Sequence, residues 1–158
     1  PEEEEVKRKI AEIKKGKFVV FTEEVLTSAV IAVAWTSFYG GGVTEGIIAM
    51  IAGAFVAVLA RYIKILAPNE MVLNFLLSFF VAAFAYISAK FGLTEDYGKI
   101  IIGNIMLLVP GVAFVNALRD MIGGDMMSGI LRVCESILLA VFLAAGSFMA
   151  LMFLGGVL

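Results

Sequence analysis

The sequence predicts an all-α, polytopic helical membrane protein with five transmembrane helices, the N-terminus inside and the fourth helix kinked or broken at Pro110-Gly111. Three observations lead there. Of 158 residues, 61% are apolar and 16% charged, whereas an average soluble domain is roughly 45–50% apolar. With a mean hydropathy of +1.01, a soluble core of this size would leave too little polar surface for the exterior. Apolar runs of membrane-spanning length are separated by short polar or glycine-rich connections. Finally, most of the charge lies at those connections, and one stretch, residues 110–135, sets charged and hydrogen-bonding groups between two apolar runs.

The same composition excludes several classes. Net charge is −2, and the basic residues form no patch interleaved with aromatics, so there is no nucleic-acid footprint. A single cysteine, Cys134, and no histidine remove a disulfide framework, a thiolate metal site and the commonest general base. Cys134 is expected to fill space. No apolar leader opens the chain. It starts on Pro1, and the expectation is a piece of a longer protein.

Residues 1–17 read as a cytoplasmic amphipathic helix or the tail of a preceding domain, with Val6, Ile10 and Ile13 at helical spacing and Gly16 as its end. Residues 18–158 are the transmembrane domain. The first segment covers about 18–39, with Glu23 and Glu24 at the interface and Trp35 and Tyr39 as an aromatic belt. Ser28, Ala32 and Thr36 recur every fourth residue, a face on which another helix approaches closely. Gly40, Gly41 and Gly42 predict a tight turn, with Thr44 capping the second segment, 44–66. There Ala49, Gly53 and Ala57 repeat the small-residue spacing, and Arg61 and Lys64 snorkel.

Pro68-Asn69-Glu70 reads as a turn and helix start before the third segment, 71–89. The polar connection 92–98 leads to the fourth, 99–118. Pro110 interrupts it by removing one helical hydrogen bond, with Asn104 and Asn116 flanking the break. Residues 119–129 read as a compact polar corner, in which Gly123-Gly124 permits a reversal and Asp125 caps the next helix. The fifth segment is 130–154, with Ala140, Ala144, Ala145, Gly146 and Ala150 for close packing.

Charge sets the orientation. With the N-terminus inside, Lys7, Arg8, Lys9, Lys14, Lys15, Lys17, Arg61, Lys64, Arg119 and Arg132 face the cytoplasm, leaving Lys90 and Lys99 outside. The polar corner is then cytoplasmic and the C-terminus extracytoplasmic.

Within the corner, Asn116 shares a helical face with Arg119 and Asp120, and Ser128, Arg132 and Glu135 share another. Arg119 or Arg132 is expected to pair with Asp120, Asp125 or Glu135. Two uses of such groups are open: ion pairs that anchor the corner, or a binding site for a small zwitterion. In the second, the arginines or the freed N–H groups at 111–113 take a carboxylate, and Asp120 or Asp125 takes an ammonium group. Asp120 or Glu135 would also serve for proton coupling. An enzyme is disfavoured, because Ser128 has no histidine base and the carboxylates have no metal-ligand company. No cofactor and no metal are expected.

The run 107–146 closely resembles the threonine/serine exporter family, in which proline-glycine, asparagine, arginine-aspartate, glycine-aspartate and serine-glycine follow in this order. The matching positions are Pro110 and Gly111, Asn116, Arg119 and Asp120, Gly124 and Asp125, Ser128 and Gly129, continued by Arg132 and Glu135. FYGGG at residues 38–42 is similar to the family's first loop. The resemblance implies an ion-coupled exporter of small hydroxy amino acids in a prokaryotic inner membrane, with the corner residues in substrate binding or coupling. It also implies a hydrophilic domain before the first span and a second membrane module as partner; the expected assembly is with that module, a homo-oligomer, or both. Some relatives look like dicarboxylate exporters, and a non-transporting scaffold or assembly module is the reading from a different class.

Overall fold

The computed structural model describes residues 21–66 and 69–156. The expected helix at 1–17 and the start of the first segment lie outside these residues. The regular structure described is entirely helical: α1 (residues 21–38), α2 (Val43–Leu66), α3 (Glu70–Lys90), α4 (Tyr97–Leu108), α5 (Gly111–Ile122) and α6 (Met126–Gly155). Among the described residues, α2, α3 and α6 are each long and apolar enough to cross a membrane, and α4 and α5 together make a fourth such unit, bent by 49°. The protein is therefore an all-α polytopic membrane protein with a broken helix pair.

Side-chain size sets how the helices meet. Ala32, Ala49, Ala82, Ala85 and Ala150 are fully buried together with Ile100, so backbones approach where lipid supplies no hydrophobic drive for association. Gly53 places its Cα against α1, where a Cβ would lie 2.8 Å from that of Ala32. Gly103 of α4 packs on Thr36 and Ala32 of α1 in the same way. The small-residue faces expected on α1 and α2 are thus contact faces. In α6 only part of the expected face is one: Gly146 and Ala150 are buried, but Ala140, Ala144 and Ala145 are exposed. Large apolar side chains point outward instead, including Val43, Phe148 and Ile122, as on a surface solvated by lipid.

α2 and α3 run antiparallel, with Val56 beside Leu77 and Val81. α3 and α6 run parallel, because Gly146 lies against Phe75 and Ser78 while Gly155 lies near Tyr86. The chain returns between them through α4 and α5. Parallel packing brings the first turn of α3 to the middle of α6.

Several boundaries differ from the sequence expectation. Thr44 lies inside α2, and the start of that helix is closed instead by Glu45, whose Oε2 accepts from Gly42 N–H at 2.9 Å. Glu45 Oε1 accepts from Thr94 Oγ1 at 2.9 Å, which ties the start of α2 to the α3–α4 connection. The tight turn at Gly40 is present, with Gly40 at φ 82°. Arg61 sets its guanidinium 5.0 Å from the Phe21 ring centroid, a partner on α1 that its snorkelling position did not predict. Cys134 is exposed and not a packing residue, since the helical register turns it away from the faces that meet α3 and α5.

Candidate functional site

The break between α4 and α5 follows from Pro110. Without an N–H it cannot continue the α4 ladder, and it forces Val109 into an extended conformation, φ −66° and ψ 128°. Gly111 N–H folds back on Val109 O at 2.8 Å. Pro110 provides no side-chain cap for α5, so the first amides of α5 are not closed off by a capping side chain.

Residues 119–129, expected as one polar corner, are almost wholly helical. α5 continues to Ile122 and α6 starts at Met126, because the reversal needs only three residues. Gly124 takes φ 97°, its N–H bonds Met121 O at 3.2 Å, and Asp125 N–H bonds Asp120 O at 3.0 Å. These two bonds close the end of α5 in a Schellman motif. Asp125 then caps α6 as the sequence predicts, its Oδ1 accepting from Ser128 N–H at 3.3 Å. Gly129 allows the hairpin to close by lying against Met121 and the Ala117 carbonyl.

An open cleft of about 310 Å³ lies where α5, α6 and the first turn of α3 meet, lined by Glu70, Pro110, Ala113, Asn116, Arg132, Glu135, Ser136 and Leu139. Four of the residues singled out from sequence come together here: Pro110, Asn116, Arg132 and Glu135. Gly111, Arg119, Asp120, Asp125 and Ser128 are not in the lining. Asp120 stands behind it, with Oδ2 2.9 Å from Arg132 Nη1. Arg132 therefore chooses Asp120 among the expected acids, and Arg119 forms no ion pair with any described residue.

Glu70 is the charged lining residue that sequence reasoning passed over, beside Ser136 and Leu139. It stands in a turn-and-helix-start motif, and nothing local distinguishes it from an ordinary first-turn acid. Only the parallel packing of α3 on α6 carries it to the cleft. Ser136 is buried, its hydroxyl donating to Arg132 O at 2.9 Å, and Leu139 forms an apolar part of the lining.

The cleft thus offers one guanidinium, one amide, two carboxylates and the Ser136 hydroxyl on an otherwise apolar wall. This suits recognition of a small polar molecule with a few orienting contacts. Among the described residues no group of three His, Cys, Asp or Glu stands close enough to hold a metal ion. No curated protein and no solved structure matches the chain. The family described as "Putative threonine/serine exporter" matches residues 2–154. A multi-span helical chain with a broken helix pair, matched over nearly its whole length, belongs to the threonine/serine exporter family.

Proposed function

We propose that this chain forms the membrane unit of a secondary transporter exporting small hydroxy amino acids, threonine and serine, with the α3–α5–α6 cleft as its substrate site. The observation that carries the reading is the convergence of Asn116, Arg132, Glu135 and Glu70 at a break in a spanning helix. Irregular backbone at membrane depth is tolerated where it lines a cavity or is buried in protein, and discontinuous helices are a common way to build transporter sites. In this reading Arg132 takes the substrate carboxylate, helped by the uncapped start of α5 beside Pro110 and Ala113. Asn116 orients the substrate. Asp120 holds Arg132 when the cleft is empty and exchanges it for substrate.

α1 completes a five-span arrangement with the N-terminus in the cytoplasm. Its described 18 residues extend about 27 Å at 1.5 Å per residue, close to the hydrocarbon thickness of about 30 Å. Helix directions support the orientation: Arg61, Lys64, Arg119 and Arg132 lie toward one end of the bundle, Lys90 and Lys99 toward the other. Residues 1–17 are then on the cytoplasmic side. A second membrane module is the expected partner, the setting is a prokaryotic inner membrane, and the coupling is to protons or another ion.

A scaffold or assembly role is the second reading, favoured by the Asp120–Arg132 pair and the Asp125 cap, which stabilise the hairpin without any substrate. Counterflow of radiolabelled threonine and succinate into liposomes separates the readings, using the full-length protein with its N-terminal part and partner module. Threonine exchange lost in Arg132→Gln, with insertion and assembly unchanged, supports the transport site. Succinate exchange alone makes it a dicarboxylate exporter. No exchange of either compound by verified assemblies leaves the scaffold.

A further inference from the structure

We propose that Glu70 is a specificity-determining residue of the cleft: it accepts the substrate's ammonium group, and the cleft thereby selects a zwitterion over a dicarboxylate. This rests on the transport reading above and goes further by naming the group on the substrate that decides selection.

The charge arrangement of the cleft is the starting point. Its ionisable lining is Glu70, Arg132 and Glu135. Arg132 already donates to Asp120 Oδ2 at 2.9 Å, outside the lining. Among the described residues neither Glu70 nor Glu135 has an ion-pair partner. Two carboxylates thus face a guanidinium that is already engaged, and the cleft carries an anionic excess. A dicarboxylate would add two negative charges to that space, at a Coulombic cost that grows as water is displaced. A zwitterion offers a carboxylate to Arg132 and a cation to the acids.

Position separates the two acids. Glu135 stands one turn from Arg132 on the same helix, so it shares the guanidinium's field. Glu70 enters from α3, across the cleft. Its local structural duty is already filled: Asn69 caps α3, its Oδ1 accepting from Met71 N–H at 2.9 Å. The Glu70 carboxylate is not needed for that cap and is exposed at the cleft. An ammonium held by Glu70, with the substrate carboxylate toward Arg132, gives each charged end of an α-amino acid its own partner within the one cleft.

The test uses the full-length protein with its partner module in liposomes. Threonine counterflow is competed with unlabelled threonine, with 3-hydroxybutyrate, which lacks only the ammonium group, and with succinate. Glu70→Gln is expected to raise the half-saturating threonine concentration about tenfold, the loss of one hydrogen bond to a charged group. Inhibition by 3-hydroxybutyrate and succinate stays the same or strengthens, a split that a purely structural role would not produce. Glu70→Asp, which keeps the charge, recovers most of the affinity, and it is the variant to read should the glutamine protein fail to insert. Threonine half-saturation within twofold of wild type in Glu70→Gln, or equal weakening of all three compounds, overturns the assignment and leaves the exporter reading intact. Wild-type protein that exchanges succinate and not threonine overturns both.

Discussion

Arg132 Nη1 lies 2.9 Å from Asp120 Oδ2, an ion pair that bridges α5 and α6 at the edge of the cleft. Asp120 is held a second time through its carbonyl, which accepts Asp125 N–H at 3.0 Å. The same two residues therefore help close the hairpin and aim a guanidinium at the space beside it. Structural and functional roles can be told apart by how much each change costs.

Both side chains are partly solvent-exposed, and pairs of that kind contribute about 0.2–1 kcal/mol. Asp120→Asn is accordingly expected to lower hairpin stability by less than ~1 kcal/mol and to reduce threonine exchange far more. The exchanged pair, Asp120→Arg with Arg132→Asp, restores the cross-link but puts a carboxylate in the cleft, so stability returns and transport does not. Thermal unfolding in detergent beside counterflow in liposomes measures both. Transport recovered in the exchanged pair would assign these residues to scaffolding alone.

Pro110 and Gly111 are neighbours in sequence and separate in role. Pro110→Ala permits α4 to run on into α5, closing the 49° bend, and is expected to impair transport more than expression. Intact uptake in that variant would deny the break a function. Gly111→Ala is expected to keep transport, since a Cβ there meets nothing within 4 Å. It should also favour the first turn of α5 by about 0.5–1 kcal/mol, because alanine loses less backbone entropy.

Gly146 is where α6 meets the Phe75 carbonyl and Ser78 of α3. A larger side chain pushes the parallel helices apart, so Gly146→Leu is expected to destabilise the protein by about 1–3 kcal/mol or more. Because the same packing brings Glu70 to the cleft, threonine affinity should fall alongside the unfolding temperature. An unchanged unfolding temperature would contradict the close approach.

Thr36 Oγ1 is fully buried between α1 and α4 and has no hydrogen-bond partner among the described residues. Thr36→Val keeps the shape and removes the unsatisfied hydroxyl, so it is expected to stabilise the bundle by roughly 1 kcal/mol with transport unchanged. A loss of stability would mean that the hydroxyl has a partner after all.

The sequence by itself determined the membrane class, the apolar spans, the break at Pro110, the reversal at Gly123-Gly124 and the Asp125 cap. Each arises from composition or from covalent and hydrogen-bonding constraints acting over a few residues, which need no knowledge of distant neighbours. Asn116, Arg132 and Glu135 were legible as site candidates for a related reason, since polar groups beside apolar spans are too costly to be incidental. Only the tertiary structure decided that Arg132 pairs with Asp120 and that Arg119 and Asp125 stay out of the cleft. It also decided that Glu70 joins the lining. Those outcomes depend on the helical register across the α5–α6 hairpin and on α3 and α6 running parallel in contact, a relation that buried glycines allow but that no local pattern encodes.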